Sequence, residues 1–216
     1  MGAINYRETI INQGKNEMVR IRPFLVLPVL ALLSGCMTVT PRGLVAMAGF
    51  SPLQMNPAEL GAGLGVPQSI RLADGDAMIA MTWQVRGEAA PRVNERFLLQ
   101  ISDSSEVAGT PPPAPGERIY IGRLSDLDSV RMKDVQERIL RYKSEGLEGQ
   151  GSFSISLRGG CTTAPPLTAL PFRTYVKTSS DSSWIETTRR SDFVATLPPQ
   201  GRKEFLQSVR ICNGTG

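Results

Sequence analysis

The side chains that could act as acids, bases or nucleophiles in this chain are its carboxylates, lysines, serines and three cysteines, because histidine is absent altogether. Imidazole is the usual proton carrier near neutral pH and the commonest ligand of transition metals, so His-based hydrolases and His-ligated zinc sites are excluded. Three cysteines cannot build a zinc centre that needs four thiolates. A Ser–Lys nucleophile needs no histidine, but no Ser-x-x-Lys spacing occurs, and Lys177-Thr178-Ser179 stands without companion motifs. There is no phosphate-cradling Gly-x-x-x-x-Gly-Lys-Ser/Thr loop and no Gly-x-Ser-x-Gly elbow. Asp74-Gly75-Asp76 has an Asp-x-Asp spacing that can hold a metal, yet it falls where a hairpin turn is demanded and reads as that turn. The catalytic arrangement left open is a pair of carboxylates brought together by the fold, as glycoside hydrolysis requires. No cofactor is expected.

The strongest signal is an address. Arg20-Ile21-Arg22-Pro23 and the following Phe24–Leu33 join a basic flank to an uncharged apolar run of about ten residues. That is the layout of a secretory signal, too short for a bilayer-spanning helix of about 20 residues. Leu33-Ser34-Gly35-Cys36 follows directly. With the preceding run, these residues resemble the lipobox of bacterial lipoproteins, a likeness confined to residues 18–36. The resemblance implies cleavage before Cys36, a thioether from Cys36 to diacylglycerol, and acylation of the new amino group. Residue 37 is Met rather than the Asp that commonly retains lipoproteins at the inner membrane, so the resemblance points to the outer membrane, facing the periplasm. Met18 offers a second start, and residues 1–17 fit an upstream-start artefact.

Removal of residues 1–35 takes away Arg7, Lys15, Arg20 and Arg22 against Glu8 and Glu17, half of the net charge of +4. The pI of 9.2 therefore says little about an anionic partner. Aromatic residues, at 6%, are too few for a stacking platform, and no nucleic-acid partner is expected. The expected partners are membrane lipid, through acylated Cys36, and an envelope protein or the cell wall. Two or three acyl chains hold a protein on a membrane without an amphipathic helix.

Behind the anchor the chain reads as short strands and one long helix. Asn56-Pro57-Ala58-Glu59 has the chemistry of a helix start, with Gly61, Gly63 and Gly65 expected to stop it within about two turns. Asp74-Gly75 predicts a hairpin between 69–73 and 77–85, with Ala77, Ile79, Met81, Trp83 and Val85 on one face. Phe97–Ile101 and Arg118–Ile121 read as strands, separated by an exposed proline loop over 110–116. Ser125 and Asp128 stand in capping-box spacing at the head of a helix over about 125–145. Met132, Val135, Ile139 and Tyr142 form its buried stripe, and Arg138 and Arg141 fall on its wet side. Phe153, Ile155 and Leu157 alternate with Ser152, Ser154 and Ser156 as in a one-sided strand. Phe172–Thr178 and Trp184–Thr188 predict a second hairpin, with short helices near 193–197 and 202–209.

With Cys36 assigned to lipid, Cys161 and Cys212 remain as a pair in an oxidising compartment. A bridge between them would close a loop of about 50 residues and stabilise the fold by about 4 kcal/mol of chain entropy. The rival reading is two free or intermolecular thiols. Trp184 lies between these cysteines, as a tryptophan does in immunoglobulin domains, but Arg210 stands where that family carries its corner tyrosine.

The expectation is a mainly β (α+β) protein, an antiparallel β-sandwich or a sheet of six to seven strands covered by one long helix. Its organisation is a signal over 1–35, an anchored segment over 36–55 and one globular domain over 56–216. The expected function is a non-enzymatic binding or structural module of the cell envelope. The alternative is a histidine-free envelope hydrolase of the carboxylate-pair glycosidase kind.

Overall fold

The structure is a computed structural model that describes residues 4–6, 51–107 and 109–213. Cys36, the apolar run before it and the segment 37–50 lie outside the described residues.

Seven strands make one curled antiparallel sheet. They are β2 (Gly61–Pro67), β4 (Ala77–Val85), β5 (Val93–Asp103), β6 (Glu117–Leu124), β7 (Gly149–Leu157), β9 (Pro171–Lys177) and β10 (Ile185–Asp192), in the spatial order β7-β4-β5-β6-β2-β9-β10. A short strand, β1 (Ile4–Tyr6), pairs with the outer side of β7. A smaller sheet joins β3 (Ile70–Arg71), β8 (Gly160–Thr162) and β11 (Val209–Ile211), with β8 in the middle.

One face of the large sheet carries the core. Ala77, Ile79, Met81, Trp83 and Val85 are all buried along β4, as their alternation predicts. Helix α1 (Asp126–Ser144) lies over this face. The Ser125 hydroxyl accepts from the Asp128 amide at 3.1 Å, which satisfies one of the free donors of its first turn. Met132, Val135 and Ile139 are buried and Tyr142 packs against the core. Gly146, at φ +77°, ends the helix, while Gly149 belongs to the next strand. Two short helices, α2 (Phe193–Thr196) and α3 (Pro199–Ser208), extend the same core. Phe172, Phe193 and Phe205 meet edge to face there, with centroids 5.4 and 5.0 Å apart.

Several sequence expectations are corrected. The chain at Asn56 makes one 3-10 turn, Pro57–Glu59, and the glycines that follow are in the buried strand β2. The Asp74-Gly75 turn forms, with Gly75 at φ +82° and the Asp76 amide donating to Ala73 O at 3.0 Å. It does not join a hairpin: β3 pairs with β8, and β4 pairs with β5 and β7, so the turn hands the chain from the small sheet to the large one. Ser154 and Ser156 are buried rather than wet, short side chains set opposite Ala80 and Met78 of β4. Arg138 is not on a freely solvated side; it donates to Glu95 Oε1 at 3.0 Å, a residue of β5 beneath the helix. The packed domain also begins before residue 56. Met55 is in the core, and the Gln136 side-chain amide of α1 donates to Pro52 O and Met55 O at 2.8 and 3.1 Å.

Candidate functional site

The candidate site lies on the face of the sheet opposite the core helix, on strands the sequence predicted at 118–121, 172–178 and 184–188 and on Gly61, Gly63 and Gly65, which it read as helix stops. Along β2, Ala62, Leu64 and Val66 point into the core, so Gly61, Gly63 and Gly65 present a row without side chains to the other face. Aromatic rings lie on that row. A Cβ built on Gly61 would come within 2.8 Å of Trp184, and one on Gly63 within 3.0 Å of Tyr175. Bare backbone is what lets a ring pack flat against a strand, the same device by which aromatics cover strand glycines elsewhere. Ile119 and Ile121 of β6 are fully buried beside these rings, with Val107 at the margin. Trp184 thus covers the sheet from outside and does not pack between two sheets as an immunoglobulin tryptophan does.

Next to Gly65 stands the one charged residue that is fully buried among the described residues, Glu117. Its carboxylate takes both arms of the Arg173 guanidinium, Nε to Oε1 at 3.0 Å and Nη2 to Oε2. The Ala114 amide also donates to Oε2, at 2.8 Å. The Arg173 guanidinium in turn sits 5.1 Å from the centre of the Tyr175 ring. Burial pushes the Tyr175 hydroxyl up to about 12, with the Arg173 charge opposing the shift. The Trp184 indole N–H is buried without a hydrogen-bond partner. A bidentate Arg–carboxylate fork is geometrically specific and fixes its partners in place. Here it pins the end of the proline loop, which is further held by Gln68 N donating to Gly116 O at 3.0 Å.

The fork and the Ala114 amide together hold the end of the proline loop against β9. Among the described residues the carboxyls with a shifted pKa are Glu59, Glu88 and Asp103, and each is held below its ordinary value. The causes are the Ser180 amide for Glu59, the Arg92 side chain for Glu88 and the Ser105 amide for Asp103. A glycosidase acid needs the opposite shift, produced by burial or by a neighbouring negative charge. Asp76 accepts from the Ala73 amide at 2.8 Å within the turn, and Asp74 accepts from the Ile101 amide of β5 at 2.6 Å, so both carboxylates are held by backbone amides. Among the described residues no cluster of three or more metal-ligating side chains occurs.

The cysteines are brought together. Cys161 on β8 and Cys212 just after β11 have sulfurs at bonding distance and Cα atoms 5.0 Å apart, inside the range for a disulfide. The parallel pairing of β11 with β8 places Arg210 opposite Cys161, and the Cys212 amide donates to Thr162 O at 3.0 Å. No described helix is long and apolar enough to cross a membrane.

Glu117, Arg173, Tyr175 and Trp184 were not singled out as a group by sequence reading. The available signal was the Gly61-x-Gly63-x-Gly65 alternation, whose apolar intervening residues mark a strand with one bare face. Neither a family model nor a curated protein nor a solved structure matches this chain.

Proposed function

We propose that the protein is a lipoprotein anchored through acylated Cys36 to the outer membrane, where its β-rich domain faces the periplasm as a non-enzymatic binding or structural module. The observation that carries this reading is Leu33-Ser34-Gly35-Cys36 placed directly after a basic flank and a short apolar run. The pairing of Cys161 with Cys212 at disulfide distance supports it, because disulfides persist in oxidising compartments such as the periplasm. The buried carboxylate supports a structural role at this site: Glu117 is bound by the Arg173 guanidinium fork and the Ala114 amide.

The test is metabolic labelling with a fatty-acid analogue in cells making the full chain or Cys36→Ser. The wild type should take up label and lose residues 1–35, and Cys36→Ser should do neither. Equal labelling of the two proteins would overturn the anchor.

A further inference from the structure

The two edges of the large sheet are built differently. Edge strand β10 is interrupted by register shifts between Glu186 and Thr188 and between Thr188 and Ser191, and it exposes Arg189 and Arg190. Bulges and charges of this kind keep an edge from pairing with another chain. The opposite edge, β7, has none of them. Its sequence Gly149-Gln-Gly-Ser-Phe-Ser-Ile-Ser-Leu157 holds no charge and no proline, and all nine residues run in unbroken register with β4. The backbone of Ile4–Tyr6 is seated on its outer side, antiparallel, with Ile4 opposite Phe153, Asn5 opposite Ser152 and Tyr6 opposite Gly151. That edge therefore accepts a strand, and the strand it holds lies upstream of Cys36.

We infer that, once residues 1–35 are removed, the β7 edge pairs with the β7 edge of a second copy of this chain, antiparallel across a twofold axis at Phe153. The inference rests on the lipoprotein reading, since cleavage before Cys36 is what takes Ile4–Tyr6 away. A second copy is favoured because β7 complements itself. In the register that pairs all nine residues, Leu157 of one copy falls opposite Gly149 of the other and Ile155 opposite Gly151, glycines on which the Trp83 ring of β4 lies, so apolar side chains meet an apolar ring. Ser154 falls opposite Ser152 and Ser156 opposite Gln150, so no like charges meet. Lipid anchoring adds to this by confining copies to one plane and raising their effective concentration.

The experiment uses the exported, lipidated protein purified in detergent, with intact mass defining its N-terminus and light scattering its oligomeric state. Cross-linking in the membrane reads the register. Directly opposite residues of a pair have Cα atoms about 4.5–5.5 Å apart, within disulfide reach, whereas positions two residues out of register are beyond about 7 Å. Co-expressed Ser152→Cys and Ser154→Cys copies should therefore form a disulfide-linked dimer, and either variant alone should not. Gln150→Lys/Ser152→Lys, at an exposed and a half-buried position of β7, gathers four lysines on one face of the paired strands and should yield a monomer with an unchanged circular dichroism spectrum. A cleaved, acylated protein that is monomeric, or a dimer that survives the lysine variant, overturns the pairing and leaves the anchor standing. A protein that retains residues 1–35 and is monomeric overturns both.

Discussion

Glu117→Ala removes the acceptor from the buried pair that fastens the proline loop to β6 and β9. The Arg173 guanidinium loses both of its bonds to Oε1 and Oε2, and the Ala114 amide loses its acceptor. Breaking a buried ion pair from one side costs about 3–5 kcal/mol, because the remaining charge is left without compensation. Arg173 keeps 16% of its side chain exposed and keeps the Tyr175 ring 5.1 Å away, so it regains some hydration and the lower end, about 3 kcal/mol, applies. Arg173→Ala strands a carboxylate that is only 2% exposed, and about 4 kcal/mol is expected there. The double variant strands neither charge, so it should cost little more than Glu117→Ala alone, a coupling of roughly 3 kcal/mol between the two sites. Urea unfolding followed by circular dichroism measures each cost, with equal m-values showing that the same surface is exposed. For a domain of this size the single variants should melt roughly 6–16 °C lower. Additive costs, or a Glu117→Ala protein within about 0.5 kcal/mol of wild type, would refute a load on this pair.

The remaining expectations concern the helix and the cysteines. Ile139→Asp puts an unpaired charge under α1 at a position 1% exposed and should cost several kcal/mol in the same urea assay. Arg141→Ala should stay within about 0.5 kcal/mol, whereas Arg138→Ala should exceed it because the Glu95 carboxylate loses its partner. If the arginine changes prove more damaging than Ile139→Asp, α1 packs by the wrong face. Cys161→Ala/Cys212→Ala opens a loop with a sequence separation of 51 and should lower stability by about 4 kcal/mol in protein taken from the periplasm. An unchanged urea midpoint there would mean that the two thiols are not bridged.

What the sequence determined on its own was local and periodic. The α1 stripe at Met132, Val135 and Ile139, the Ser125 cap, the alternation of β4 and the hairpin of β9 and β10 follow from spacing, because neighbouring turns and alternate residues impose their geometry within a few residues of chain. Counting offered Cys161 and Cys212 as a candidate pair with free thiols as the rival, and the fold sets the two sulfurs at bonding distance. Tertiary structure alone decided where bare backbone is useful. Gly61, Gly63 and Gly65 read as helix stops because glycine breaks helices. They became the middle of a sheet because Trp184 and Tyr175, more than a hundred residues later, lie on them. Asp74-Gly75 made its turn, but the partners of its flanking strands were chosen by β5, β7 and β8. Glu117 and Arg173, 56 residues apart, carry no local pattern that marks them as a pair. Their union depends on strand order, which places β2 between β6 and β9 with Gly65 leaving room for the carboxylate, and such non-local pairing is settled by packing rather than by any short window of sequence.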